Sequence, residues 1–474
     1  MQTRGAAEDW AKSEFGSAAL GDARRVARLV KVAARAAENP GGKLSEVFQS
    51  PRELDAAYDL IESEHVRAAA VLTAQGRATA QRAIGLRYVF VPVDGSSLQL
   101  ADHEREKDFG SIGTAKAGAR GLKVISALAV DPDGVTLGLL SQVWWTRTEA
   151  RSGNAKNRRK RRAQLPTEQK EIRHWVDAVE LAAEQLDAVG AVGWFQIDRE
   201  GDAWPILTAL ASTKHLFTVR SSWDRVVETT GRDKQYLRGH LAKQQPIGSY
   251  EIEVPGNAGR TPRRARMVMR CAEVTLRLRD RRTSKYISLP VRAVWVHEEG
   301  TVPRGENALD WLLLTNASIG SFSDGRGAVT GYSARWRIED FHRAWKSGVC
   351  NVEEMQLRSR DAAIRWATIL AAVAARAERI KLLARASPDR PATDELSETE
   401  IRVLIALKRD EKKRTETVPN GIPTMAQATR WLADLGGYTG KSSGGPPGSI
   451  TIGRGLQRVV DGANAIRAMD RWGK

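Results

Sequence analysis

The stretch Gly331-Tyr332-Ser333-Ala334-Arg335-Trp336-Arg337-Ile338-Glu339-Asp340-Phe341-His342-Arg343-Ala344-Trp345-Lys346-Ser347-Gly348 reads as one helix. At roughly 100° per residue, Tyr332, Arg335, Glu339 and Lys346 fall within about 60° of one another. Ala334, Ile338, Phe341 and Trp345 make the opposite stripe, an apolar side that packs on a core. One carboxylate among basic and phenolic groups on a rigid helix suits a metal ion held beside a phosphate chain. With a rise of about 1.5 Å per residue, Tyr332 and Lys346 stand roughly 21 Å apart, too far to grip one phosphate but right for following a backbone over several nucleotides. An ordinary amphipathic surface helix with solvated charges has the same period, so periodicity alone leaves both readings open.

Upstream, two segments deliver carboxylates at the ends of apolar strands. Arg87-Tyr88-Val89-Phe90-Val91-Pro92-Val93 leads to Asp94 and the small residues Gly95-Ser96-Ser97, and Ala191 to Ile197 leads to Asp198-Arg199-Glu200-Gly201-Asp202. A buried strand that ends in an acid is how an α/β scaffold exposes a reactive group. A lone Asp there is more often a turn or cap residue. Strands over about Gly121–Val130 and Val135–Trp144 flank Asp131-Pro132-Asp133-Gly134, a hairpin turn. Antiparallel strands after a first strand fit the opening of an RNase-H-like α/β fold. A helix over about Pro166–Leu186 and a strand from His215 to Arg220 follow, and then about a hundred strand-like residues, too many for a minimal core connection, read as a β-rich insertion at about 221–320.

The flanks are helical. Asp22 reads as the N-cap of a helix running to about Glu38, whose Arg24, Arg28, Lys31 and Arg35 make a purely basic stripe. Such a stripe is commonly just a solvated face. Ser50 and Glu53 read as a capping box for the next helix, with Pro51 at its first position. After Gly348 a long helix covers about Arg358–Ala386 and stops at Ser387-Pro388. The tail adds a helix capped at Ser397, an amphipathic segment around Trp431, a Gly/Pro loop at Gly444–Gly448 and a final helix after Gly455.

The chain has 474 residues, with 74 Lys plus Arg against 57 Asp plus Glu, a net charge of +17. That excess favours a polyanionic partner, nucleic acid above all, and Lys156–Arg162 is its densest run. No run of 18 apolar residues is present, so no membrane-spanning helix is expected, and no Walker or Rossmann glycine loop calls for a nucleotide cofactor. Cys271 and Cys350 have no CxxC spacing, so neither a disulfide framework nor a zinc site is indicated. The expected setting is intracellular, on nucleic acid.

The order Tyr, two residues, Arg, three residues, Glu, six residues, Lys matches, without a spacing error, the signature of the bacterial cut-and-paste transposases of insertion sequence family four. The chain resembles that family from Asp9 to its C-terminus, including Asp-Arg-Glu-x-Asp at Asp198 and Val-Arg-Ser at Arg220. The resemblance implies a DDE active site in which Asp94, Asp198 and Glu339 hold two Mg²⁺ ions, with Mn²⁺ able to replace them. It implies that Tyr332, Arg335 and Lys346 bind phosphates near the cleaved end, and that Trp311, 28 residues before Glu339, holds a flipped base; a core Trp beside three leucines is the alternative. It also implies a transposon-end-binding helical domain at 1–70, a catalytic domain at 71–386 and a C-terminal helical dimerisation domain at 387–474. The expected substrates are double-stranded transposon ends and target DNA, processed through hairpin ends by a homodimer. A metal-dependent nuclease that cuts without joining, and a non-catalytic DNA-binding relative, are the competing classes.

Overall fold

The computed structural model describes residues 6–102, 106–113, 118–147, 165–228, 234–256, 259–280, 282–411, 417–440 and 445–472. The basic run Lys156–Arg162 lies outside the described residues, as does Gly444. The chain is a mixed α/β protein that divides into two compact units, one made of residues 85–94 and 153–336, the other of 1–84, 95–152 and 337–474.

The first unit is built on a mixed sheet. Strand β1 (Val89–Gln99) starts it, and β5 (Gly193–Ile197) and β6 (Leu216–Arg220) follow in parallel. β12 (Asp310–Thr315), β11 (Tyr286–Glu299) and β10 (Arg263–Arg279) then extend it antiparallel, in the order β1-β5-β6-β12-β11-β10. Short strands β7 (Val226–Val227), β8 (Gln235–Tyr236) and β9 (Gly248–Val254) add to the far side of β10. β5 is buried along its whole length, as a parallel strand covered on both faces must be. Strands β7 to β12 all fall within residues 221–320, the region whose sequence reads as strand-like. Helices α6 (Ile172–Asp187), α7 (Trp204–Ala211), α8 (Leu237–Ala242) and α9 (Phe322–Ala334) complete the unit.

In the second unit, β3 (Arg120–Val130) and β4 (Thr136–Trp145) form the expected hairpin beside the short β2 (Gly110–Ser111). Its turn closes because Asp131 Oδ1 accepts from the amides of Asp133 (3.0 Å) and Val135 (2.8 Å), with Gly134 at φ +85°. Five helices precede the strands: α1 (Ala6–Phe15), α2 (Ala23–Glu38), α3 (Leu44–Val47), α4 (Pro51–Glu62) and α5 (Ala68–Gln81). Asp22 caps α2 as its sequence predicts, accepting from the Arg24 amide at 2.8 Å. The Ser50–Glu53 capping box does not form. Ser50 makes no side-chain cap bond, and Glu53 lies 3.4 Å from Arg35 instead. An ion pair across the helices competes better for that carboxylate than a neutral backbone amide does.

The remaining helices are α10 (Trp336–Lys346), α11 (Arg360–Ala386), α12 (Glu398–Glu411), α13 (Met425–Leu435) and α14 (Ser449–Trp472). The 27-residue α11 is the spine of this unit, with Trp366 among its largest fully buried side chains. Three carbonyls of the N-terminal helices end on it: Arg365 binds those of Ile61 (2.8 Å) and Val66, and Trp366 Nε1 that of Gly42 (2.7 Å). The C-terminal helices share a core that includes Leu383, Leu404, Trp431, Leu432 and Val459. Ser397 and Glu400 do form a reciprocal cap at the start of α12.

The stretch read as one helix from Gly331 is two. α9 begins earlier, at Phe322, where Ser321 Oγ caps the Asp324 amide, and the helix breaks at Arg335, whose amide bonds the Tyr332 carbonyl in a tightened turn. Of the apolar stripe, Ala334 ends α9 half-buried, and the three residues on α10 behave as their period predicts. Ile338, Phe341 and Trp345 are fully buried, Trp345 stacking on Phe341 at 5.7 Å and donating to the Ala367 carbonyl at 3.1 Å.

Candidate active site

Register brings the two strand-borne aspartates together. Val93 and Ile197 are partners in the parallel β1–β5 pairing, so Asp94 and Asp198 are the next residue on each strand. The preceding residues, Val93 and Ile197, are separated by about one interstrand spacing, roughly 5 Å. β6 continues the pattern, with Ile197 opposite Val219, which brings Arg220 level with Asp198.

One detail differs from the sequence reading. β1 does not end at Asp94 but continues through Gly95-Ser96-Ser97 to Gln99. What ends there is the pairing with β5, which stops at Ile197. The acid is thus displayed at a step in the sheet rather than in a turn.

Asp94 Oδ2 lies 3.4 Å from Arg335 Nη1, and the guanidinium of Arg335 sits over the ring of Trp336 at 5.2 Å. Arg335 is 7% exposed, while Trp336 is 60% exposed. Asp198 Oδ1 accepts from the Glu200 amide at 2.7 Å, capping a 3₁₀ turn over Arg199–Gly201. Both the cap reading and the site reading of Asp198 are therefore compatible. Asp202 is excluded as a ligand by its bonds: it is buried and accepts from Ser221 Oγ (3.0 Å), the Ser222 amide (2.7 Å) and Arg225 Nε (2.7 Å). Its work is to lock the loop after β6. Nothing in the period of the sequence marks Arg225 as its partner, and the role was not foreseen.

The other predicted contacts are placed as follows. Tyr332 is buried among Met269, Val294, Val296 and Leu313, with its ring 6.4 Å from that of the half-buried Trp311. Trp311 lies opposite Val296 in the β11–β12 pairing, so it has a core side as well as an accessible one. Arg220 Nη2 donates to the Asp310 carbonyl at 3.0 Å. In the second unit, half-buried Glu339 stands in the first turn of α10. Lys346 Nζ donates to the Ser97 carbonyl at 2.8 Å and pairs with Glu353 at 3.5 Å. Lys123 Nζ donates to Ser97 Oγ at 3.1 Å, so two ammonium groups meet at one serine. Lys123 was not anticipated; its place on β3 gives no sign of it.

The donor chemistry of Asp94 and Asp198 fits a hard divalent cation, which takes carboxylate oxygens. Among the described residues no three His, Cys, Asp or Glu side chains converge to hold one.

On α2 the basic stripe is unevenly free. Arg35 pairs with Glu38 (3.0 Å) and Glu53 (3.4 Å), and Arg28 approaches Asp59 at 3.9 Å. Arg24, almost fully exposed, lies 3.6 Å from Asp22 Oδ1, and Lys31 faces solvent. A family model described as transposase DNA-binding matches residues 7–66, the span of α1 to α4. The N-terminus resembles a transposase DNA-binding domain. The match supports a transposase-type role with DNA as partner, and it ends before β1, short of both aspartates. No helix among the described residues is long and apolar enough to cross a membrane.

Proposed function

We propose that the chain is a DDE-type transposase with an RNase-H-like catalytic core, which cleaves transposon ends and joins them to target DNA. The observation that carries this reading is the pairing of Val93 with Ile197, which aligns Asp94 and Asp198 at the step where β5 stops. The N-terminal match supplies the DNA-binding half. The third ligand of the proposal, Glu339, comes from the Tyr-Arg-Glu-Lys spacing of the sequence.

Two divalent ions, Mg²⁺ or Mn²⁺, would neutralise charge at the scissile phosphate and lower the pKa of an attacking water or 3′-hydroxyl. Asp94, Asp198 and Glu339 would hold them. Arg335 keeps the Asp94 carboxylate compensated until cation and substrate arrive, and it can then turn to a phosphate oxygen, since guanidinium pairs with either anion. Tyr332, Arg335 and Lys346 are the proposed phosphate contacts near the cut, Trp311 the stacking surface for a displaced base, and Arg24, Arg28, Lys31 and Arg35 the contacts to the end repeat. Hairpin formation at the end, release by water and insertion by a homodimer complete the proposed cycle.

The test uses the DNA flanking the coding region as the source of end sequences. Full-length protein and its Asp94→Asn, Asp198→Asn and Glu339→Gln variants are assayed with Mg²⁺ for cleavage of an end and for joining of a pre-cleaved end. Each variant should lose both activities by about 10³-fold or more, the scale of a removed catalytic group, while still shifting end DNA. Cleavage without any joined product would favour a simple nuclease. A Glu339→Gln variant that still cleaves would remove Glu339 from the site.

A further inference from the structure

The β10–β11 hairpin outruns its neighbours. Its pairing is continuous from Arg266–Glu299 to Arg279–Tyr286, whereas β9 covers β10 only over Arg263–Met269, β7 touches it at Leu276, and β12 covers β11 only from Arg292 to His297. Beyond Arg277 and Ser288, among the described residues, the two strands pair only with each other.

Side chains alternate along a strand, so Arg277 and Arg279 share one face, and the register puts Ser288 and Tyr286 beside them. The Arg277 guanidinium carbon lies 4.0 Å from the centroid of the Tyr286 ring, and that of Arg279 lies 5.8 Å from it. Tyr286 is 51% exposed. Cation–π stacking aligns the two cations without neutralising them. The only acid within 277–286 is Asp280. It is spent on the turn, accepting from the Arg282 amide (2.9 Å) and Thr283 Oγ1 (2.6 Å). Glu228, on the same side further down, accepts from Ser288 Oγ. Arg282 and Lys285 add positive charge at the turn.

The other face of the ribbon does the packing, burying Leu276, Leu278 and Leu289, so the half-exposed tyrosine and its two arginines stand on the outward face. The complementary partner is a polyanion with regularly spaced charges and a groove that admits a two-stranded β-ribbon, which duplex DNA provides in its major groove of about 12 Å. We infer that the β10–β11 tip is a second duplex-DNA contact, distinct from residues 7–66, in which Arg277 and Arg279 take backbone phosphates and Tyr286 holds them in position. Phosphate contacts carry no sequence information, so this contact serves ends, flanks and target alike. The inference rests on the reading of the chain as a DNA-processing protein.

The test measures binding of full-length protein to a labelled duplex of about 30 bp of arbitrary sequence by anisotropy over a salt series, without divalent ions. For the Arg277→Gln/Arg279→Gln protein, the slope of log affinity against log salt should fall by about two, and affinity at about 0.1 M salt should drop roughly tenfold or more. Arg277→Lys/Arg279→Lys should keep the slope, and Tyr286→Ala should lose affinity with the slope retained. Circular dichroism and the thermal midpoint, unchanged in all three, separate binding from folding. An unaltered slope and affinity in the glutamine variant would overturn the inference, and so would a loss confined to the single-stranded form of the same oligonucleotide. Wild-type protein that binds no DNA would overturn the proposed function as well; wild-type binding with an unaffected variant would sink the tip alone.

Discussion

His342 stands on the polar side of a helical period, yet its ring is buried against Phe341 (5.3 Å) and Trp345 (6.4 Å), and its pKa is pulled down to about 3, first by burial and then by the charge of Lys346. The unfolded ring titrates near 6.5. Between about pH 6.5 and 3 the unfolded chain therefore binds a proton that the folded chain refuses, and stability falls on acidification through that window, by at most about 1.4 kcal/mol per pH unit. Buried Glu14, whose pKa is raised mainly by desolvation, tilts the other way, so the comparison must be between wild type and variant. His342→Gln should flatten the acid limb of the urea midpoint plotted against pH from 7 to 4, and an unchanged limb would contradict the assignment. At this scale, Asp94 and Asp198 were legible because an apolar run followed by an acid is a local pattern. The work of Asp202 was not, because its partners Ser221, Ser222 and Arg225 come from a loop about twenty residues away.

α9 shows what an element needs beyond its period. A Cβ added at Gly331 would stand 2.7 Å from Phe90 Cε1 and 2.9 Å from Gln196 Nε2, so the helix lies against β1 and β5 only because this position has no side chain. Gly331→Ala should cost roughly 1–3 kcal/mol, the usual penalty of overpacking. Gly327→Ala in the same helix meets nothing within 4 Å and should be neutral or stabilising by up to about 1 kcal/mol. Urea denaturation of both proteins checks the pair, and equal effects would show that close approach is not the reason for the glycine. Periodicity identified the apolar stripe of Ile338, Phe341 and Trp345 but not the break at Arg335. Helical φ and ψ persist there, and what changes is the hydrogen bonding, which no residue type announces.

At the scale of the molecule, the N-terminal helices lean on α11 through carbonyls that accept from Arg365 and Trp366. A fragment of residues 1–84 leaves those groups and the apolar face around Leu29 and Ala33 without cover. It should be less than fully helical and unfold with low cooperativity by circular dichroism, whereas the full chain should unfold these helices together with α11; a fragment with a sharp, full-amplitude transition would show that the module is self-sufficient. By itself, the sequence determined the alternation of helical ends with a strand-rich middle, the apolar faces, the net positive charge and the acids that follow apolar runs. Each depends on neighbours within a turn or a strand, where the period of the backbone decides which side a residue faces. Only the tertiary structure decided that Asp94 and Asp198 stand side by side, that Asp202 is locked away, that Arg335 faces an acid, and that Tyr286 stacks with two arginines on the outward face of a ribbon. Those outcomes rest on register and on partners distant along the chain, which strand pairing and burial select and no local pattern encodes.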